Sequence, residues 1–420
     1  MKEYLLDQTK KFGDRFGLDL PYFLGNGFWV VCRQMVGALS SLSVSVALAH
    51  LASQDVFGQY QFIFSVLSIV AILALPGLNT SLLQSVSRGN DGDYAVSVRK
   101  SFLWSIIGVP ILAIIGLCYY VYSNQSIGIG FLVASIFFPF FYSLNLWDGF
   151  LQAKKLFRLT SIFSMFQSIS SALLLLATTY YFHASLSIMI FTYLAIHVLF
   201  NVFFIYKSLH HAENSKKDDS TIPFGLFLTK LSILGTIASN LDRVIIGMFI
   251  SMETLSVYAV GTLFVIQVFE LVKAFLSTVA PKIANNTLVS RRNYLIVALL
   301  SALAIPFLIF GVWFILNNFY PLQFSVALQF FIVGIIFLPF YSLSVLYNFQ
   351  IIFLRNKKII AWSAIIFHSL RIALMPLFAG IFGVWGLALL VGFQHLLFLV
   401  VAFLLKTYFG RLSTGEVEEQ

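Results

Sequence analysis

FFPFFYSL, residues 137–144, returns as FLPFYSL at residues 337–343. A lysine pair follows each copy, Lys154-Lys155 after the first and Lys357-Lys358 after the second. The same offset links Gly58-Gln59-Tyr60 with Ser256-Val257-Tyr258. An aromatic motif and a basic cluster recurring at one spacing mark a chain built from two copies of one structural unit.

The residues around the motif say what that unit is. Hydrophobic residues make up 59% of the chain and charged residues 10%, against about 45–50% and about 25% in soluble domains. A bilayer core is crossed by about 20 apolar residues in a helix. Runs of that kind fall near 28–50, 58–80, 101–122, 128–150, 159–181, 186–206, 225–250, 256–278, 295–316, 325–349, 359–379 and 384–405. Barrel strands alternate in polarity over about 10 residues, whereas these runs are continuously apolar, so a β-barrel is excluded. The expected class is an all-α integral membrane protein with 12 transmembrane helices. The repeat offset spans an even number of helices, so the halves share one orientation. Such parallel repeats are related by an axis along the membrane normal, with the substrate site at their interface. The expected division is a six-helix bundle over 1–206, a flexible cytoplasmic linker over 207–221 (KSLHHAENSKKDDST), and a second six-helix bundle with a cytoplasmic tail over 222–420.

Basic residues orient these spans. Alternate junctions carry Arg88, Arg99 and Lys100; Lys154, Lys155 and Arg158; Lys207, Lys216 and Lys217; Lys282, Arg291 and Arg292; and Arg355, Lys357 and Lys358. The junctions between them, such as 51–57, 182–185 and 317–324, hold no Lys or Arg. Cytoplasmic loops are the ones that keep Lys and Arg, so both termini are expected in the cytoplasm. The net charge of +9 is therefore topogenic and calls for no nucleic-acid partner. Cys32 and Cys118 both lie in spans and form no metal-thiolate pattern. The phosphate-cradling pattern GxxxxGK[ST] is missing, which argues against direct drive by ATP.

Of the 26 basic residues, five fall inside apolar spans: Arg33, Lys230, Arg243, Lys273 and Arg371. The carboxylates Asp242 and Glu270 lie mid-span with them. An ionisable side chain in a span is costly and marks a pathway or an internal pair. Arg33 and Lys230 align in the repeat, and two related cations suit an anionic substrate. Arg matches phosphate with a planar fork, while Lys acts as a point charge. Arg33, Lys230, Arg243 and Arg371 are thus the expected substrate contacts, and Asp242, Glu270 and His368 the expected coupling or charge-neutralising groups. Each has a plainer reading. Lys273 and Glu270 are three apart and can pair on one helical face, and Asp242 can neutralise a cation on a neighbouring helix. His197, His368 and His395 suit hydrogen-bonded packing. His368 stands out because it precedes Arg371 by three residues on one face.

Two segments carry a resemblance. LASQDVFGQYQFIFSV, residues 51–66, is similar to the start of span 2 in Wzx-type polysaccharide flippases. ASNLDRVIIGMFISMETLSVYAV, residues 238–260, resembles that family's junction between spans 7 and 8, where Asn240, Asp242, Arg243 and Tyr258 match and Ser256 replaces the usual Gly. His50 stands where an Arg often closes span 1, so no role is carried over for that Arg. The resemblance implies the multidrug/oligosaccharidyl-lipid/polysaccharide (MOP) exporter superfamily, whose members form two six-helix bundles around a central cavity. It also implies alternating-access movement of an undecaprenyl-pyrophosphate-linked oligosaccharide, such as an O-antigen unit, from the cytoplasmic to the periplasmic leaflet of a bacterial inner membrane. The expected partners are that lipid-linked oligosaccharide, membrane lipid, and a polysaccharide polymerase and chain-length regulator. No cofactor or metal is expected beyond a coupling H⁺ or Na⁺. A drug or metabolite antiporter of the same superfamily is the alternative reading, and an integral-membrane polymerase or ligase the more distant one.

Overall fold

A computed structural model describes the backbone of residues 20–277, 291–353 and 357–415, with side chains over 27–276, 292–349 and 361–405. The basic residues of the N-terminal arm, together with Lys282 and Arg355, lie outside the described residues. The described chain is helical: α1 Leu20–Leu51, α2 Gln54–Val70, α3 Gly77–Ser87, α4 Asp93–Ser105, α5 Gly108–Tyr122, α6 Gln125–Ser143, α7 Trp147–Ala153 and α8 Phe157–Tyr181. It continues through α9 Leu186–Leu209, α10 Thr221–Phe249, α11 Met252–Ser277, α12 Arg291–Phe319, α13 Ala327–Ile335, α14 Leu338–Phe353, α15 Lys357–Phe382 and α16 Val384–Gly415. Among the described residues 11 helices are long and apolar enough to cross a membrane, and the bent pair Leu322–Ile335 and Leu338–Phe349 makes a twelfth span. The chain is a multi-pass membrane protein.

Two spans are broken or bent beside a proline. Span 2 breaks where α2 gives way to a 3₁₀ turn at Ala71–Ala74 and then to Leu75, at φ 57°. Pro76 is the cause: its ring disfavours the helical conformation in the residue before it, and it has no N–H to give. Backbone groups freed inside a membrane need new partners. Gly77 N donates to Thr229 Oγ1 at 3.1 Å, and the Ala74 carbonyl accepts from Ser101 Oγ at 2.5 Å. The approach of α10 is so close that a Cβ on Gly77 would run into the Gly225 carbonyl. Span 10 bends by 47° just before Pro339. The first copy of the motif instead keeps helix through Pro139 to Ser143 and breaks after it, in a 3₁₀ turn at Leu144–Leu146.

The compact units do not follow the repeat boundary. One comprises Met1–Leu51 and Val70–Lys230, the other Ala52–Ile69 and Leu231–Gln420. Helix α2, expected in the first bundle, packs in the second unit: a Cβ on Gly58 would collide with the Met252 carbonyl, and Gln54 Nε2 donates to the Gln323 carbonyl at 3.1 Å. The opening turns of α10 belong to the first unit, where Gly77 meets them. Close contact through glycine is how membrane helices associate without a hydrophobic driving force.

The first unit packs around fully buried Trp147. Phe204 meets it at 4.8 Å and stacks on Phe163 at 4.3 Å, while Tyr94 stacks on Phe150 at 4.3 Å. In the second unit Phe269 stacks on Tyr341 at 4.1 Å and His395 meets both rings edge-on.

The 207–221 segment, expected to be a flexible linker, is clasped to the first unit. Asp91 Oδ2 accepts from Lys154 Nζ and from the Glu213 backbone N–H, both at 2.7 Å. Asp93 Oδ2 accepts from Ser85 Oγ at 2.5 Å and from Thr221 Oγ1 at 2.7 Å, and the Asp218 N–H also points to this carboxylate. The Gly92 N–H reaches the Lys216 carbonyl at 2.8 Å. Burial favours the protonated form of Asp91, but the bonds from Lys154 and Glu213 outweigh it and hold the carboxyl below its usual range. Hydrophilic composition predicted a loose loop; two buried carboxylates supply the acceptors that its backbone N–H groups require.

Candidate functional site

Arg33 comes from the middle of α1 and meets a partner that its own helix does not provide. Its Nη1 lies 2.7 Å from Asp148 Oδ1, with the two side chains 32% and 17% exposed. Asp148 sits in the first turn of α7, and its other oxygen accepts from Gln152 Nε2, one turn on, at 2.9 Å. One turn before Arg33 on α1, Trp29 carries the Arg158 guanidinium over its ring at 5.2 Å. Residues four apart share a helical face, so two arginines gather on this side of α1.

The second unit holds a buried cluster. Asp242 on α10 and Arg371 on α15 are 5% and 7% exposed, and Tyr258 on α11 is fully enclosed. Tyr258 donates its hydroxyl proton to Asp242 Oδ2 at 2.5 Å, and the Asp242 charge acts on Arg371. Asp242 Oδ1 accepts from the Arg243 backbone N–H at 2.9 Å. His368 packs beside Gly235, one turn before Arg371 on α15. Two nitrogens, His368 Nδ1 and Arg371 Nε, are buried with no hydrogen-bond partner. Sequence reading named every member of this cluster, Tyr258 only as a motif position. Its role follows from the fold: its hydroxyl holds the Asp242 carboxylate.

The remaining predicted residues do not join either group. Lys230 is exposed near the cut between units, and Arg243 is half-buried. Glu270 and Lys273 pair at 3.4 Å on the exposed face of α11. A surface pair of this kind contributes about 0–1 kcal/mol. The surplus of positive charge is smaller than expected, because Asp148, which falls within the 128–150 run and was not among the expected carboxylates, pairs with Arg33. Among the described residues no three His, Cys, Asp or Glu side chains converge to hold a metal ion.

The many-span helical fold, broken beside prolines and with charged side chains paired inside the first unit, has solved relatives of the same fold. Its solved counterparts are MOP superfamily proteins. The fold is similar to that of the lipid II flippase MurJ in an inward closed conformation, with 16% identity, 91% of this chain and 87% of that chain covered and a TM-score of 0.64. It is similar to a MOP superfamily transporter from Pyrococcus furiosus, at 12% identity, 95% and 96% coverage and a TM-score of 0.62. An inward-facing multidrug resistance MATE family transporter gives 11% identity, 93% and 99% coverage and a TM-score of 0.60. No curated protein sequence matches the chain. The polysaccharide biosynthesis protein family model matches residues 23–286, and the chain belongs to that family.

Proposed function

We propose that this protein is a flippase that carries an undecaprenyl-pyrophosphate-linked oligosaccharide, an O-antigen or similar repeat unit, from the cytoplasmic to the periplasmic leaflet of a bacterial inner membrane. The observation that carries the reading is membership of the polysaccharide biosynthesis family in a chain whose fold is similar to a lipid II flippase. The basic junctions face the cytoplasm in this reading, as do both termini. Arg33, Lys230 and Arg243 contact the pyrophosphate or acidic sugars. Arg371, buried near Asp242, contacts the pyrophosphate or acidic sugars as well. A coupling H⁺ or Na⁺ is taken up at Asp242, with His368 beside it. Alternating access moves the headgroup while the lipid tail stays in the bilayer, and a polymerase with its chain-length regulator receives the product.

Similarity to MATE transporters supports a drug antiporter only at the level of fold, and the family match favours the saccharide. Deleting the gene and analysing lipid-linked saccharides by leaflet tests the proposal. Single repeat units trapped on the cytoplasmic leaflet, released by the wild-type gene and not by Arg33→Ala at equal protein level, are the expected result. Unpolymerised units reaching the outer leaflet in the deletion strain would sink it.

A further inference from the structure

We infer that Asp148 is a built-in counter-anion: it occupies Arg33 while the substrate site is empty and gives way to a phosphate oxygen of the arriving headgroup. The inference rests on the flippase reading above. Three features of the pair point beyond a structural bond. First, it uses one Nη1–Oδ1 contact of 2.7 Å, while Arg has five N–H donors arranged to match phosphate in pairs. Second, the pair is partly open, with Arg33 about one-third exposed, so a ligand can reach the guanidinium without dismantling the core. Third, Asp148 has somewhere to go: Gln152 already holds its second oxygen, and this amide can keep the carboxylate after Arg33 leaves.

The surroundings suit a phosphorylated sugar. Arg158 lies over Trp29 one turn along α1 and brings a second cation to the same face. Asn79 Oδ1 is buried against Gly149, next to Asp148 in α7, and has no hydrogen-bond partner. Exchange of one anion for another leaves Arg33 with an anionic partner at both stages, avoiding the cost of a lone cation in the bilayer. A phosphate bound at Arg33 releases Asp148, and the return of Asp148 expels the phosphate.

The test uses the full-length protein in lipid nanodiscs, with undecaprenyl pyrophosphate as probe and phosphatidylglycerol as competitor. Asp148→Asn keeps the side-chain shape and removes the competing charge, and should tighten binding by about tenfold, within the range measured for close charge pairs. Asp148→Glu should restore wild-type affinity. In an Arg33→Ala background the Asp148→Asn change should have no effect on affinity, which a merely structural Asp148 would not predict. Unchanged affinity in Asp148→Asn, or the same gain without Arg33, overturns the inference. Equal competition by phosphatidylglycerol also overturns it, since the site would then be reading bulk anionic lipid. Wild-type protein that binds undecaprenyl pyrophosphate with no response to Asp148 defeats this inference alone. Wild-type protein that binds none, together with normal polysaccharide in the deletion strain, defeats the flippase reading.

Discussion

Asp242, Tyr258 and Arg371 show how much a buried charge depends on its neighbours. A carboxylate in a membrane protein interior is costly unless its charge is compensated and hydrogen-bonded; Asp242 has a hydroxyl donor in Tyr258 and lies within electrostatic reach of Arg371 without an ion pair to it. Removing one member takes a compensating charge away from the other buried ion, which costs stability. Arg371→Met and Asp242→Asn should each lower the unfolding midpoint of detergent-purified protein. The double variant should recover much of the loss, because neither charge is then stranded. Additive losses in that thermal-shift series would show that the two side chains act independently. The surface pair Glu270–Lys273 provides the contrast, since its exposure leaves little to lose. Sequence placed all four residues inside spans but could not rank them, because burial depends on which helices pack around them.

At the scale of elements, the clasp between the α3–α4 turn and the segment before α10 sets where α10 starts. Asp93 accepts from Thr221, the first residue of that helix, and Asp91 pins the approach to it. The Asp91 carboxyl is held below the ordinary value of about 3.9. Its contribution is therefore complete at neutral pH and is lost as pH falls through the lowered folded value, while the unfolded chain takes up its proton earlier. Asp91→Asn should loosen the segment by about 2 kcal/mol, the scale of hydrogen bonds to charged groups. Limited proteolysis between Glu213 and Thr221 at pH 7 should cut this variant several-fold faster than wild type, and wild type should reach the same rate only in acid. Equal rates at pH 7 would mean that the clasp does not hold the segment. Nothing local in KSLHHAENSKKDDST announces this, since its acceptors lie more than 100 residues away.

For the whole molecule, alternate loop charge predicts sidedness. Single cysteines introduced at Ser126 and at Asn214, in a Cys32→Ala/Cys118→Ala background, should label from opposite faces of intact cells with a membrane-impermeant thiol reagent. Ser126 should be reached from outside and Asn214 only after permeabilisation. Labelling of both from one face would refute the twelve-span topology. Helix count was legible because it is written in local hydropathy, and the bilayer acts on that property directly. Family membership was legible in FGQY and in the Asn240 to Tyr258 stretch, because short motifs persist where backbones pack closely.

What the sequence determined by itself was therefore the solvent each segment prefers: which runs enter the membrane, which loops stay out, and that two copies of one unit do so. Tertiary structure decided the partners. It matched Arg33 with Asp148, moved α2 into the second unit and tied a polar segment to Asp91 and Asp93. Partition into a bilayer is a sum over neighbouring residues and can be read in order along the chain. Pairing depends on distances across helices, and a one-dimensional string does not contain those distances.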